Sequence, residues 1–271
     1  MKMKGKKSVL ALFTGAPIGC LGGLIGLGGA EFRLPVLMGL FKYSARQAVA
    51  LNLAVSLITL LSSLVFRLPN APLNQLVTHI PVILSLIAGG MIGAHKGAQY
   101  SKNLSERALE KVILYLLIGI GLLLITESFY PVVTGGLPMP ALLSIVVGVA
   151  FGLGIGVVSS LLGVAGGELI IPTLILIFGL DIKVAGTASI IISLPTVLIG
   201  LLRHRSNGAF TDKQEIRALV LPMGIGSIIG SFIGGTLIIY VSGGILKLFL
   251  GTILIVSAWK MYLKTKRKHS I

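Results

Sequence analysis

Two glutamates stand where a soluble protein would place a phosphate loop. Glu31 follows the run GLGGA and Glu168 follows GVAGG, and each is followed four residues later by a proline, Pro35 and Pro172. Long apolar stretches flank both. A glycine-rich break leaves the first N–H groups of the next helix without intrahelical partners, and with the positive end of the helix dipole they suit a small anion. The candidate binding backbone is therefore Gly26, Gly28, Gly29 and Ala30 in one break and Gly163, Gly166 and Gly167 in the other. The carboxylates have two chemistries open to them. Each Glu can cap the helix that begins at it, or, as an ionisable group inside a membrane, carry a proton. The nucleotide readings fail, because no GKS or GKT ending and no preceding strand accompanies the glycines.

A polar stripe follows each break. Asn52 and Ser56 lie one helical turn apart and are matched by Ser189 and Ser193, with Thr187 and Thr196 extending the second set. Such side chains either bond neighbouring helices or line a substrate path, and the sequence leaves both open. Arg33 has no partner in the second set, where Ile170 stands. Its expected role is to pair with Glu31 or to snorkel to the interface, with contact to the substrate the lesser alternative. His79, His95, His204 and His269 are scattered and have no metal-ligand spacing, and the single Cys20 makes no internal disulfide. No metal or other cofactor is expected. No GxSG with a histidine, HExxH or membrane aspartate pair is present, so the chain reads as a non-enzyme.

The elements that must position these residues are membrane helices. Of 271 residues, 55% are hydrophobic and 11% charged, with a mean hydropathy of +1.00. Several apolar stretches reach the roughly 20 residues that cross a bilayer. The fold class is an all-α polytopic membrane protein. The net charge of +15 sits in the tails and short loops, which is how orientation is written into a membrane protein, and it is no face for nucleic acid. The basic start MKMKGKK and the apolar run after it read as a retained first span, because the run continues past Cys20 to Leu27.

The breaks belong to a repeat. Residues 26–59 align without a gap on 163–196 at an offset of 137, pairing Gly26 with Gly163, Gly29 with Gly166, Glu31 with Glu168 and Pro35 with Pro172. The same offset carries Gly89, Gly93 and Gly97 onto Gly226, Gly230 and Gly234. The expected organisation is a first transmembrane repeat, 1–130, a linker, 131–140, and a second repeat, 141–271. Each repeat holds about four spans: 8–27, 44–66, 77–98 and 109–126, then 141–163, 182–202, 217–239 and 243–262. Each also has one short segment, 32–41 or 169–180, which at ~1.5 Å per residue is a broken or re-entrant helix. Equivalent loops swap charge. Loop 67–76 has one basic residue and its equivalent 203–217 has four, whereas loop 96–111 has four and 240–243 has none. The repeats are therefore read as inverted, with both termini cytoplasmic.

The segments GLGGAEFRLPVL and GVAGGELIIPTL resemble the TauE/SafE sulfite exporter family, also called the sulfur-compound transporter family. The resemblance covers both halves. Its third motif glycine is Ala30 in the first half, and Ala165 stands in the second half where Gly28 stands in the first. It implies a cell-membrane permease, in a bacterial inner or plasma membrane, that exports or imports small anions. Sulfite, thiosulfate, sulfonates and related organic acids are the implied substrates, moved by alternating access and coupled to an ion gradient, with protons as one candidate through Glu31 and Glu168. A transporter of small carboxylates and an anion channel share the same features. The expected partners are the anion, the lipid bilayer and a second copy of the chain.

Overall fold

The computed structural model describes residues 2–71, 73–100, 105–129, 136–208 and 216–238, with 240–242, 244–245, 248, 251–252, 255–256 and 258–259 beyond them. Its helices are α1 (Lys2–Ile25), α2 (Ala30–Gly39), α3 (Ala45–Arg67), α4 (Leu73–Thr78), α5 (Ile80–Tyr100), α6 (Glu106–Phe129), α7 (Ala141–Leu162), α8 (Gly167–Leu176), α9 (Ile182–Ser206) and α10 (Leu221–Leu237). Among the described residues six helical segments are long and apolar enough to cross a membrane: Lys6–Ile25, Ala45–Arg67, Ile80–Tyr100, Ala141–Leu162, Ile182–Ser206 and Ile216–Leu237. The expected span 109–126 falls within α6. The expected span 243–262 and linker 131–140 lie partly outside the described residues.

Local signals set the ends of these helices. Ser44 and Gln47 form a capping box at the start of α3. Asp181, the equivalent of Ser44, accepts from Lys183 N at 2.8 Å and caps α9. Pro17 and Pro195 lie inside α1 and α9, both of which continue through them.

The glycine pattern decides which helices meet. Gly89, Gly93 and Gly97 of α5 lie on the carbonyls of Val149, Leu153 and Val157 of α7, and a methyl group at any of them would collide with that oxygen. Gly226, Gly230 and Gly234 of α10 lie in the same way on Leu12, Ala16 and Cys20 of α1. Each contact in the first set maps onto one in the second at the offset of 137. The first span of each half therefore packs on the glycine-rich span of the other, so close that backbone meets backbone.

These contacts also fix direction. Residue numbers rise together in α1 against α10 and in α5 against α7, so each pair is parallel. In α3, Ile58 packs on Gly224, Ser63 bonds Ser231 at 3.1 Å and Phe66 packs on Gly235, so α3 is parallel to α10. Against α9 the order reverses, because Leu53 lies near Gly200 while Arg67 reaches Thr187. Gly90 faces Thr196 and Ala98 faces Asn207, so α5 is parallel to α9. Helices α1, α3 and α10 thus run one way and α5, α7 and α9 the other. Every helix in one set has its sequence equivalent in the other, which makes the repeats inverted.

The short helices are re-entrant. Lys7 of α1 places its Nζ 4.8 Å from the ring centre of Tyr43, two residues before α3. By Tyr43 the chain has come back to the side from which α1 started. In the second half Leu137 N, ahead of α7, donates to Ile177 O at the end of α8 at 2.9 Å, the same return.

Candidate functional site

The breaks are built by left-handed glycines. Gly29 (φ 68°) precedes α2 and Gly166 (φ 80°) precedes α8, in backbone that side-chain-bearing residues rarely adopt. The helices begin at Ala30 and Gly167, one residue before the glutamates at which they were expected to start. Pro35 and Pro172 sit in the second turn of each. Lacking an N–H, each proline leaves the carbonyl four residues earlier, that of Glu31 or Glu168, without its helical donor. The site therefore has spare backbone donors before each glutamate and a spare acceptor on it.

The two breaks meet. A methyl group built on Gly28 would lie 3.1 Å from the Cβ of Ala165, and these are equivalent positions. The pseudo-two-fold axis passes between them. Gly167 approaches the Cα of Leu27, and Gly26 lies on the backbone of Gly186 as Gly163 lies on that of Val49. The polar stripe locks this arrangement across the halves. Asn52 Nδ2 donates to Gly163 O and to Ala30 O, both at 2.7 Å. Its equivalent Ser189 donates through Oγ to Gly26 O at 3.1 Å. Each break is therefore tethered by the stripe of the opposite half.

Glu31 and Glu168 are fully buried; their carboxylates lie toward the N–H groups of Ala30 and Glu31 and of Glu168 that open α2 and α8, but none of the four oxygens is held in a well-formed hydrogen bond. They lie within electrostatic range of each other, and Glu31 within range of Arg33. Unpartnered carboxyl oxygens at this depth are costly.

Arg33 departs from expectation. It neither snorkels nor gives hydrogen bonds to Glu31: it is 0% exposed, and its guanidinium is held by the stripe. Nη1 donates to Asn52 Oδ1 at 3.1 Å, to Asn52 O at 3.5 Å and to Ser56 Oγ at 2.9 Å. Nη2 donates to Gly28 O at 3.2 Å and to Thr59 Oγ1 at 2.9 Å. Five neutral oxygens replace its water shell, so it gains more from α3 than it would from reaching the interface. Asn52 and Ser56 consequently face a guanidinium. In the second half Ser193 Oγ, the equivalent of Ser56, is buried with no partner.

Thr187 stands one residue past Gly186, which packs on Gly26, and its hydroxyl turns to a second cation. It lies with Arg67, which is 2% exposed and bridges the halves. Arg67 Nη1 donates to Gly23 O and Leu24 O at the end of α1, both at 3.1 Å, and Nη2 to Lys183 O at 3.3 Å and Thr187 Oγ1 at 3.4 Å at the start of α9. Its equivalent, His204, is buried and its Nε2 lies 3.0 Å from Ser160 O, the equivalent of Gly23. In the sequence Arg67 is the one basic residue of loop 67–76, and His204 is one of four scattered histidines. The offset that pairs them was the available signal.

A family model described as "Sulfite exporter TauE/SafE" matches residues 2–124 and 147–271. The chain belongs to the TauE/SafE sulfite exporter family. The two matched segments contain the two breaks, one in each. With its membrane-length helices, this TauE/SafE member is a multi-pass membrane protein of a transporter family. No match was found among curated proteins or among solved structures.

Proposed function

We propose that this TauE/SafE protein is a secondary transporter, acting as an exporter, of small sulfur-containing anions such as sulfite or a sulfonate in the cell membrane. One observation carries the reading: two inverted helix N-termini, each with a buried and unpartnered glutamate, meet at the pseudo-two-fold axis. Inverted repeats with broken helices place substrate at such a junction, and rocking of one set of helices against the other exposes it to alternate sides. The anion sits against the free N–H groups of α2 and α8. Glu31 and Glu168 couple its movement to an ion gradient, because an anion enters a site with ionised carboxylates only when their charge is offset. The basic loops hold both termini on the cytoplasmic side.

The test is flux. Purified protein in liposomes is expected to move sulfite, thiosulfate, a sulfonate or a small carboxylate at carrier rates, and Glu168→Gln or Gly166→Leu to abolish that movement. Flux unaffected by both substitutions rules out this site. Ion currents far above carrier rates would make the protein a channel.

A further inference from the structure

Arg33 has no cationic counterpart in the second half, yet the oxygens that hold it do. Its guanidinium is bound by the side chain and carbonyl of Asn52, the hydroxyls of Ser56 and Thr59, and the carbonyl of Gly28. At the offset of 137 these become the side chain and carbonyl of Ser189, the hydroxyls of Ser193 and Thr196, and the carbonyl of Ala165. Where Arg33 would enter stands Ile170, which is apolar and shorter.

The hydrogen bonding of this second set is incomplete. Ser193 Oγ is fully buried and has no partner, although its equivalent Ser56 Oγ accepts from Arg33 at 2.9 Å. Ser189 and Thr196 use their hydroxyl hydrogens on Gly26 O and Ile192 O, which leaves their oxygen lone pairs available to a cation. Ser189 Oγ also lies beside the first turn of α8, 2.9 Å from where a Cβ on Gly167 would stand. The neighbouring Glu168 is buried with both oxygens unpartnered. Of the other buried charged or titratable side chains among the described residues, Arg67 is occupied on α1 and α9 and His204 on Ser160, while Glu31 lies within electrostatic range of both Arg33 and Glu168.

We propose that the second half binds a monovalent metal cation, sodium, among the oxygens of Ser189, Ser193, Thr196 and Ala165, with Glu168 as its counter-charge. Neutral oxygens, backbone carbonyls and a carboxylate suit a hard cation, and broken-helix transporters coordinate sodium with such groups. The inference rests on the anion-transport reading and names its coupling ion; because the two ions move together, the sum of their gradients, and not the anion's alone, sets whether the anion leaves or enters. Arg33 offsets Glu31 permanently. Glu168 is offset only when the mobile cation is bound, so the anion is admitted with the cation and not without it. A proton on Glu168 would cancel the same charge but would leave the Ser193 hydroxyl unpartnered.

The experiment uses the full-length protein in detergent and in liposomes. Thermal unfolding is compared in sodium, lithium, potassium and choline chlorides at equal ionic strength. Sodium is expected to raise the midpoint over choline, as a ligand of the native state must. Ser193→Ala and Thr196→Val are each expected to remove most of that rise. Ile170→Arg, which installs the guanidinium, removes it entirely, and Ser193→Ala carries the test should that variant not fold. In liposomes held at constant pH, a sodium gradient is expected to drive sulfite flux at least tenfold faster than a choline control. Equal midpoints in sodium and choline, with flux following the pH gradient alone, overturn the cation site and leave anion transport standing. A sodium-dependent midpoint lost in Ser193→Ala, with no anion moved under any gradient, supports the cation site and removes the transport reading.

Discussion

A guanidinium in the membrane interior has no water to solvate it, and Arg33 is stable there because five oxygens of Asn52, Ser56, Thr59 and Gly28 take the place of water. Removing the cation alone leaves those oxygens buried and short of a donor. Arg33→Leu is expected to cost about 3 kcal/mol of stability, the size of breaking a buried charge network from one side. Thermal or denaturant unfolding in detergent would measure it. Replacing the network as a unit is a different perturbation. The double variant Arg33→Ile with Asn52→Ser gives the first half the residues found in the second, Ile170 and Ser189, and should recover part of the loss. If the double variant were less stable than Arg33→Leu, the two stripes would not be interchangeable. At this scale the sequence revealed the recurring glutamates and the lone arginine. It pointed Arg33 at Glu31, two residues away, because sequence reading weighs near neighbours. In the folded chain Arg33 instead meets a helix that begins twelve residues later, and that choice depends on how α2 lies along α3.

Among the elements, the contacts that matter are those without side chains. Gly230 rests on Ala16 and Gly93 on Leu153, each so closely that a methyl group would strike a carbonyl oxygen. Neither backbone can yield without parting the whole helix pair. Gly230→Ala is therefore expected to destabilise by about 2 kcal/mol, in the range of overpacking a tight interface. Gly39, which has nothing within 4 Å of a built Cβ, is the control and should tolerate alanine within about 0.5 kcal/mol. The midpoints of the two variants in detergent decide it. The spacing of glycines by four is visible in the sequence and implies that another helix packs closely there. The partner was not visible. A glycine face says that a helix comes near but carries no complementary pattern to say which one, so the exchange of partners between halves emerged only in the structure.

For the molecule as a whole, the inverted arrangement makes a geometric prediction. Helices α3 and α10 come from opposite halves and run parallel, with Ser63 Oγ and Ser231 Oγ 3.1 Å apart. With Cys20 replaced by serine, the pair Ser63→Cys and Ser231→Cys is expected to form an intramolecular disulfide under mild oxidation. A gel shift after cleavage between the halves would detect it. Pairing of Ser63→Cys with a cysteine at Met223 in place of Ser231 would contradict the register. The internal duplication and the inversion followed from the sequence, because repeat offset and loop charge are sums over many residues and survive local error; of the eight expected spans, six are membrane-length apolar helices among the described residues. Helix ends moved by a few residues. The 44–66 span became Ala45–Arg67, and 182–202 lengthened to Ile182–Ser206.

By itself the sequence determined an inverted pair of membrane repeats with a glycine break and a glutamate in each. Those features are local or periodic, and backbone chemistry dictates them wherever the chain lies. Only the tertiary structure decided that Gly28 and Ala165 touch at the axis, that Asn52 and Ser189 each tether the other half's break, and that Arg33 fills one polar stripe while Ser193 in the other stays unpartnered. These are pairings between segments more than a hundred residues apart, or between faces of different helices. They are chosen by which surfaces pack without a void and which buried polar groups find partners, quantities that exist only once the helices are assembled.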